Sequence, residues 1–207
     1  MNSVKDSIHD SNWKGKLSSV SNSNPSINAA NESAIKLLPE VSSVLDVGCG
    51  TGDLMNFLKK KGILVKGTDI SGEALLRAKE KGLETFKADL DEQLPFKDND
   101  FDCAICVQVL MHVFDPLQLL IEMKRVSKKY VLINVPNHMY WRFRINFLRG
   151  VLPDVFDGRA AHIRFFSRKK IEKMLSDAGL EIVARDYTGK KFFPSFFSTG
   201  FTFLCKK

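Results

Sequence analysis

Asp46, Gly48, Gly50, Gly52 and Asp53 fall within eight residues, in the run Val44-Leu45-Asp46-Val47-Gly48-Cys49-Gly50-Thr51-Gly52-Asp53. Glycines on alternate positions let a ligand come close to the backbone, because no Cβ stands in the way. A pyrophosphate seeks bare N–H groups at a positive helix N-terminus. Here an acid enters the turn and another leaves it. Two carboxylates repel a pyrophosphate and suit a ligand that carries a sulfonium and an ammonium, such as S-adenosylmethionine (SAM). The spacing is also G-x-G-x-G, whereas dinucleotide sites use G-x-G-x-x-G. The bland alternative is a glycine-rich turn that binds nothing; the flanking acids and the downstream segments weigh against it.

These residues need a strand before them and a helix after them, and the sequence supplies both. Apolar runs predict strands over Ser43–Val47, Leu64–Asp69, Thr85–Ala88, Phe101–Val107 and Tyr130–Val135. Helical periodicity marks Asp53–Lys61, Gly72–Lys81, Pro116–Ser127 and Arg168–Ala178. Several strands are apolar throughout, as expected when both faces of a sheet are covered. The alternation predicts an α/β fold with a doubly wound, mostly parallel sheet, whose ligand sits beyond the C-terminal strand ends at the switch point. Glu181–Tyr187 and Thr199–Lys206 both read as strands with no helix-length pattern between them, so they pair as a long-looped antiparallel hairpin. Ser26 is placed to cap a helix running through Ala29, Ala30, Ile35 and Leu38.

The glycine turn with its flanking Asp46 resembles the motif of class I SAM-dependent methyltransferases. That resemblance implies a Rossmann-like, seven-stranded sheet ending in an antiparallel hairpin, with SAM as cofactor and S-adenosylhomocysteine (SAH) as product. It places Asp46, Gly48, Cys49, Gly50, Gly52, Asp69, Ile70, Asp89, Leu90, Val107 and Gln108 at the cofactor. Asp69 ends the second strand, where its two oxygens can accept from both ribose hydroxyls; its competing role is to cap the helix near Gly72. Asp89 matches the acid that accepts from the adenine amino group, with the Leu90 N–H offered to the ring and Asp91 as a rival one residue away. Gln108 lies at the switch point, facing the methionine part of the cofactor. Val107 to Pro116 is similar to the family's V-L-E-H-V-x-D-P segment, with Met111 where Glu is usual. Within it His112 is the catalytic candidate, since its intrinsic pKa suits proton transfer near neutrality; a structural histidine is the alternative. His138 and His162 are further candidate bases.

A narrower likeness covers roughly residues 42–186. Gly82 to Asp91, Arg125 to Val131, Val135 to Arg144, Leu148-Arg149-Gly150 and His162 to Ser167 resemble the methionine-biosynthesis MetW family. The resemblance implies a role beside the acyltransferase of homoserine acetylation, as a SAM-binding partner module. Methyl transfer to a small molecule, or to a lipid or quinone at a membrane surface, is the enzymatic alternative.

Residues 137–166 form the expected lid or substrate wall, with Asn137, Tyr140, Trp141, Arg144 and His162 toward the substrate. Trp141, Ile145, Leu148 and Leu152 share a helical face with arginines beside it. A lid packed on the core, a membrane-surface helix and a protein-docking face all fit that pattern. Aromatics with arginines can also stack on RNA bases, but no recognisable RNA module accompanies them, so nucleic acid is not expected.

The 207 residues suit one domain, residues 26–207, after a Ser/Asn-rich segment 1–25 too polar to fold by itself. From residue 101 onward 18 Lys and Arg stand against 9 Asp and Glu, which leaves the first hundred residues at −2 within a total of +7. This asymmetry fits an anionic substrate, partner or membrane surface, or simply a solvated basic face. No apolar run is long enough to span a bilayer and the N-terminus is polar, so a cytoplasmic protein is expected. Cys103 and Cys106 are three apart on a strand and point to opposite faces, so neither a metal nor a disulfide is expected from the four cysteines.

Overall fold

A computed structural model describes residues 27–156 and 162–207. The flexible segment expected over 1–25 and the Ser26 cap lie outside the described residues. The elements run α1 (Ala29–Leu37), β1 (Ser43–Val47), α2 (Asp53–Lys60), β2 (Leu64–Asp69), α3 (Gly72–Glu80), β3 (Glu84–Lys87) and β4 (Phe101–Val107). A 3-10 turn (Leu110–His112), α4 (Pro116–Val126), β5 (Ser127–Pro136) and α5 (Trp141–Leu148) follow. A second 3-10 turn (Asp154–Phe156), α6 (Arg168–Asp177), β6 (Glu181–Gly189), α7 (Pro194–Phe197) and β7 (Ser198–Lys206) complete the fold.

The seven strands lie in the order β3-β2-β1-β4-β5-β7-β6. The β1–β2, β1–β4, β2–β3 and β4–β5 pairs are parallel, and β7 is antiparallel to both β5 and β6. The expected Rossmann-like sheet with its terminal hairpin is therefore present. The order reverses between β1 and β4, which brings the turn after β1 beside the turn after β4.

Both faces of the sheet are covered. Leu45, Ala104, Cys106, Ile133 and Phe203 pack under α4 and α6, whereas Val44, Cys103, Ile105, Leu132 and Leu204 pack with Ala34 of α1 and Leu54 and Leu58 of α2. Cys103 and Cys106 thus sit on opposite sides of β4, and all four cysteines are buried and unbridged. Burial pushes each thiol well above its ordinary range.

The cap of α1 is Asn28, whose side chain accepts the Asn31 N–H at 2.9 Å. Helix α5 buries none of its residues completely. Leu148 is 88% exposed, Ile145 and Leu152 are also exposed, and Trp141 is half-buried. Phe143 and Phe147 meet Phe156 at 5.8 and 5.1 Å between ring centroids, and Phe156 stacks on Phe165 at 4.7 Å. No helix among the described residues is long and apolar enough to cross a membrane.

Candidate functional site

Three left-handed glycines shape the turn after β1, with φ of +77° at Gly48, +53° at Gly50 and +76° at Gly52. At Gly48 the constraint is doubled, because an added Cβ would lie 2.3 Å from a Val109 methyl. The turn is held from β2: the Thr68 carbonyl accepts the Gly48 and Cys49 N–H groups, and Asp69 Oδ2 accepts the Gly50 N–H at 2.8 Å. Asp69 Oδ1 accepts the Ser71 N–H at 2.9 Å. Ser71, not Asp69, caps α3 by accepting the Ala74 N–H, which frees Asp69 from the competing role.

Asp46 is 3% exposed at the end of β1. Burial, and then the nearby Asp69 carboxylate, push its pKa up to about 7. Among the described residues no side-chain hydrogen bond or ion pair neutralises it. A buried acid without a counter-charge costs stability unless a cation arrives, so these residues fit a cationic ligand at the glycine turn. Asp53, the second acid of the turn, is used differently: Lys81 pairs with it at 2.6 Å and also donates to the Thr51 carbonyl. The anionic partner of Asp46 is Asp69.

Asp89 and Ile70 come together in a cleft of about 340 Å³ that Lys87, Glu92 and Pro95 also line. Asp89 and Asp91 stand in different surroundings. Asp91 Oδ1 accepts the Phe114 and Asp115 N–H groups at 2.7 and 3.0 Å, which ties this loop to the start of α4. Asp89 accepts the local Asp91 N–H at 3.0 Å and lines the cleft. Leu90 is buried behind it. Arg125 clamps the outer wall, bonding Glu122, Asp98 and the Leu94 and Phe96 carbonyls. That hydrogen bond from Arg125 lowers the Glu122 pKa below the usual carboxylate range.

Val107 ends β4 and Gln108 follows in a left-handed conformation, φ +58°. A non-glycine residue there is strained, and such strain concentrates where function demands it. Asn134 of β5 holds it: its carbonyl accepts the Gln108 N–H at 2.9 Å and its Oδ1 accepts from the Gln108 amide. Asn134 then donates to Thr202 at 2.7 Å, Thr202 bonds Ser33, and Ser33 donates to Asp186. Burial works against Asp186, but Lys191, Lys36 and Ser33 hold its pKa down to about 2. Asn134 was not foreseen as a site residue. Its signal was a lone amide inside the apolar run Val131-Leu132-Ile133-Asn134-Val135.

The three histidines named as bases are neighbours. His112 and His162 rings meet at 5.1 Å and His138 and His162 at 5.3 Å. His138 is 2% exposed, and burial, then His162, lower its pKa to about 4. It accepts the Phe166 N–H on Nδ1 and contacts His162 through Nε2, so both ring nitrogens are committed. Asn137 is also buried: its amide donates to the Ser198 carbonyl and its own Oδ1 accepts the Met139 N–H. Arg144 joins α5 to α7, donating to the Met139 and Ser195 carbonyls and lying over Phe196. Tyr140 and Trp141 open α5, half-buried against each other. Beside His138 a second cavity of about 410 Å³ is walled by Met139, Phe147, Phe156, Phe165 and Lys170. Among the described residues no three of His, Cys, Asp or Glu are arranged to hold a metal ion.

Known proteins resemble this chain in sequence or in fold. The chain is 31% identical over 132 residues to the bifunctional methionine biosynthesis protein MetXA/MetW of Rhodopirellula baltica, a match covering 59% of this chain and 21% of that protein. It is 26% identical over 151 residues to ubiquinone biosynthesis O-methyltransferase of Hydrogenovibrio crunogenus, covering 68% and 63% of the two chains. The matched segment is therefore less than two thirds of either relative. Magnesium protoporphyrin IX methyltransferase from Synechocystis, solved with bound SAH, shares the fold at a TM-score of 0.74 and 18% identity, covering 100% of each chain. The family model of methionine biosynthesis protein MetW matches residues 29–180. The chain belongs to the MetW family, within the class I SAM-dependent methyltransferase superfamily.

Proposed function

We propose that this chain binds SAM at the β1–β4 switch point and transfers its methyl group to a small-molecule acceptor, releasing SAH. The single observation that carries the reading is Asp46, buried beside Asp69 under three left-handed glycines with no counter-charge among the described residues. The bound cofactor would supply the electrophilic methyl; the protein aligns and dehydrates the reacting pair. Asp69 holds the turn at Gly50 and sits where a carboxylate would meet the ribose hydroxyls. Asp89 and Ile70 line the adenine end, and Asn134 fixes Gln108 at the methionine end. Both ring nitrogens of His138 are engaged, which leaves His112 and His162 as the bases for an oxygen acceptor. Incubation with methyl-labelled SAM and a metabolite extract tests the reading: label should pass to a small molecule with the parent chain and not with Asp46→Asn.

A second reading is favoured by the Rhodopirellula relative, in which MetW is named together with MetXA in one protein. In it the chain serves an acyltransferase of methionine synthesis as a SAM-binding partner. Purification from the native host separates the readings: a co-purifying acyltransferase, with no label transferred, supports the partner role.

A further inference from the structure

A row of polar side chains crosses the sheet on a face that is otherwise apolar. Asn134 of β5 stands opposite Thr202 of β7, and Thr202 stands opposite Asp186 of β6. Residues directly opposite one another share a sheet face, and Ser33 of α1 closes on that face. All four are no more than 8% exposed. Leu132, Leu204 and Ala184, two residues away along the same strands, belong to the apolar cluster that includes Ala34 of α1. Buried polar groups at such positions cost stability relative to well-packed apolar ones.

The bonds of this row run in one direction, and a carboxylate sets it. Burial opposes the charge of Asp186, but Lys191 and Lys36 pair with its Oδ1 at 2.8 and 3.0 Å and keep it ionised, with a pKa of about 2. An ionised carboxylate only accepts, so Ser33 gives its one hydroxyl proton to Asp186 Oδ2 at 3.0 Å. The 2.6 Å bond between Ser33 and Thr202 then takes its proton from Thr202. With that proton spent, Thr202 Oγ1 accepts from Asn134 at 2.7 Å, so the Asn134 side chain turns its nitrogen to Thr202 and its oxygen to Gln108. An amide oxygen only accepts, so Gln108 turns its amide nitrogen to Asn134. A charge on the edge strand thereby fixes the orientation of two amides.

We propose that Asp186 is a positioning residue of the cofactor site: through Ser33, Thr202 and Asn134 it locks the Gln108 carboxamide with its nitrogen held by β5, which leaves the oxygen as the acceptor for the cofactor's ammonium. The same Asn134 also holds the left-handed backbone of Gln108, φ +58°, since its carbonyl accepts the Gln108 N–H at 2.9 Å. Only the ammonium contact rests on the reading that Gln108 meets the methionine part of SAM; the orientation exists without ligand.

Trans-hydrogen-bond NMR couplings in the ligand-free full chain, labelled with ¹³C and ¹⁵N, test the orientation. A coupling from Gln108 Nε2 to the side-chain carbonyl carbon of Asn134 is expected. A coupling from Asn134 Nδ2 to the side-chain carbonyl carbon of Gln108 overturns the proposal, whether or not any variant folds. Calorimetry with SAH and with methylthioadenosine, which lacks the ammonium and the carboxylate, tests the use. Asp186→Asn and Thr202→Val should each weaken SAH about tenfold and leave methylthioadenosine unchanged. Thr202→Ser, which keeps the hydroxyl, should bind SAH like the parent. Equal losses for both ligands, as a merely structural role predicts, or undiminished SAH binding in Thr202→Val, overturn the proposal. A parent that binds neither ligand overturns the cofactor reading and the ammonium contact with it, and the couplings still decide the orientation.

Discussion

Asp69 Oδ2 lies 2.8 Å from the Gly50 nitrogen, so the acid that closes β2 holds the glycine turn that closes β1. One side chain thereby ties the ends of two neighbouring strands together at the glycine turn. Asp69→Ala is expected to weaken SAH binding about 100-fold, through lost charge-assisted hydrogen bonds. It should also lower thermal stability by about 1–3 kcal/mol, because the buried Gly50 N–H loses its partner. Calorimetric titration and a thermal melt check the two halves.

The pKa of Asp46 gives a pH signature with a definite sign. Its folded value is raised, from 3.8 to about 7. The stability it contributes is therefore fully present below 3.8 and is lost as pH rises through about 7. The loss in the ligand-free chain is on the order of 4 kcal/mol, and Asp46→Asn should flatten it. A cation favours the ionised carboxylate, so SAM should bind more tightly as pH climbs from about 5 to about 7, releasing a proton. Titrations in buffers of different ionisation heat count that proton.

Gly48 is doubly constrained, by φ +77° and by Val109. Gly48→Ala should abolish SAH binding. Adding Val109→Ala opens the space without relieving the backbone, so the double variant should regain folding stability but little affinity. Chemical denaturation and calorimetry separate the two effects.

Asn134 supports Gln108 from behind. Asn134→Leu leaves the Gln108 amide and the Thr202 hydroxyl short of partners and should cost about 1–3 kcal/mol. Because these groups form one network, the cost should be less than additive with Thr202→Val. Urea midpoints of the two single variants and the double variant measure the coupling.

Much of this was legible in the chain. The bounds of β1, β2 and β4 follow from runs that stop at an acid, a turn or a polar residue, and the left-handed turn after β1 follows from its alternating glycines. What escaped depended on contacts between distant segments. Asp53 looked like part of the anionic site, but Lys81, 28 residues on, takes its charge. The contacts of Phe143 and Phe147 with Phe156, which lies beyond the helix, could not be read from helical spacing. Asn134 was only an odd residue in a strand until Gln108 and Thr202 stood on either side of it.

The central claim is that two buried acids under the glycine turn select a cationic nucleoside over a dinucleotide. Calorimetric titration of the parent chain and of Asp46→Asn with SAM, and of the parent with NADH, tests it most directly. The account predicts saturable binding of SAM to the parent, strongly weakened binding to the variant, and none of NADH. Binding of NADH in place of SAM, or equal SAM affinity in parent and variant, would contradict it.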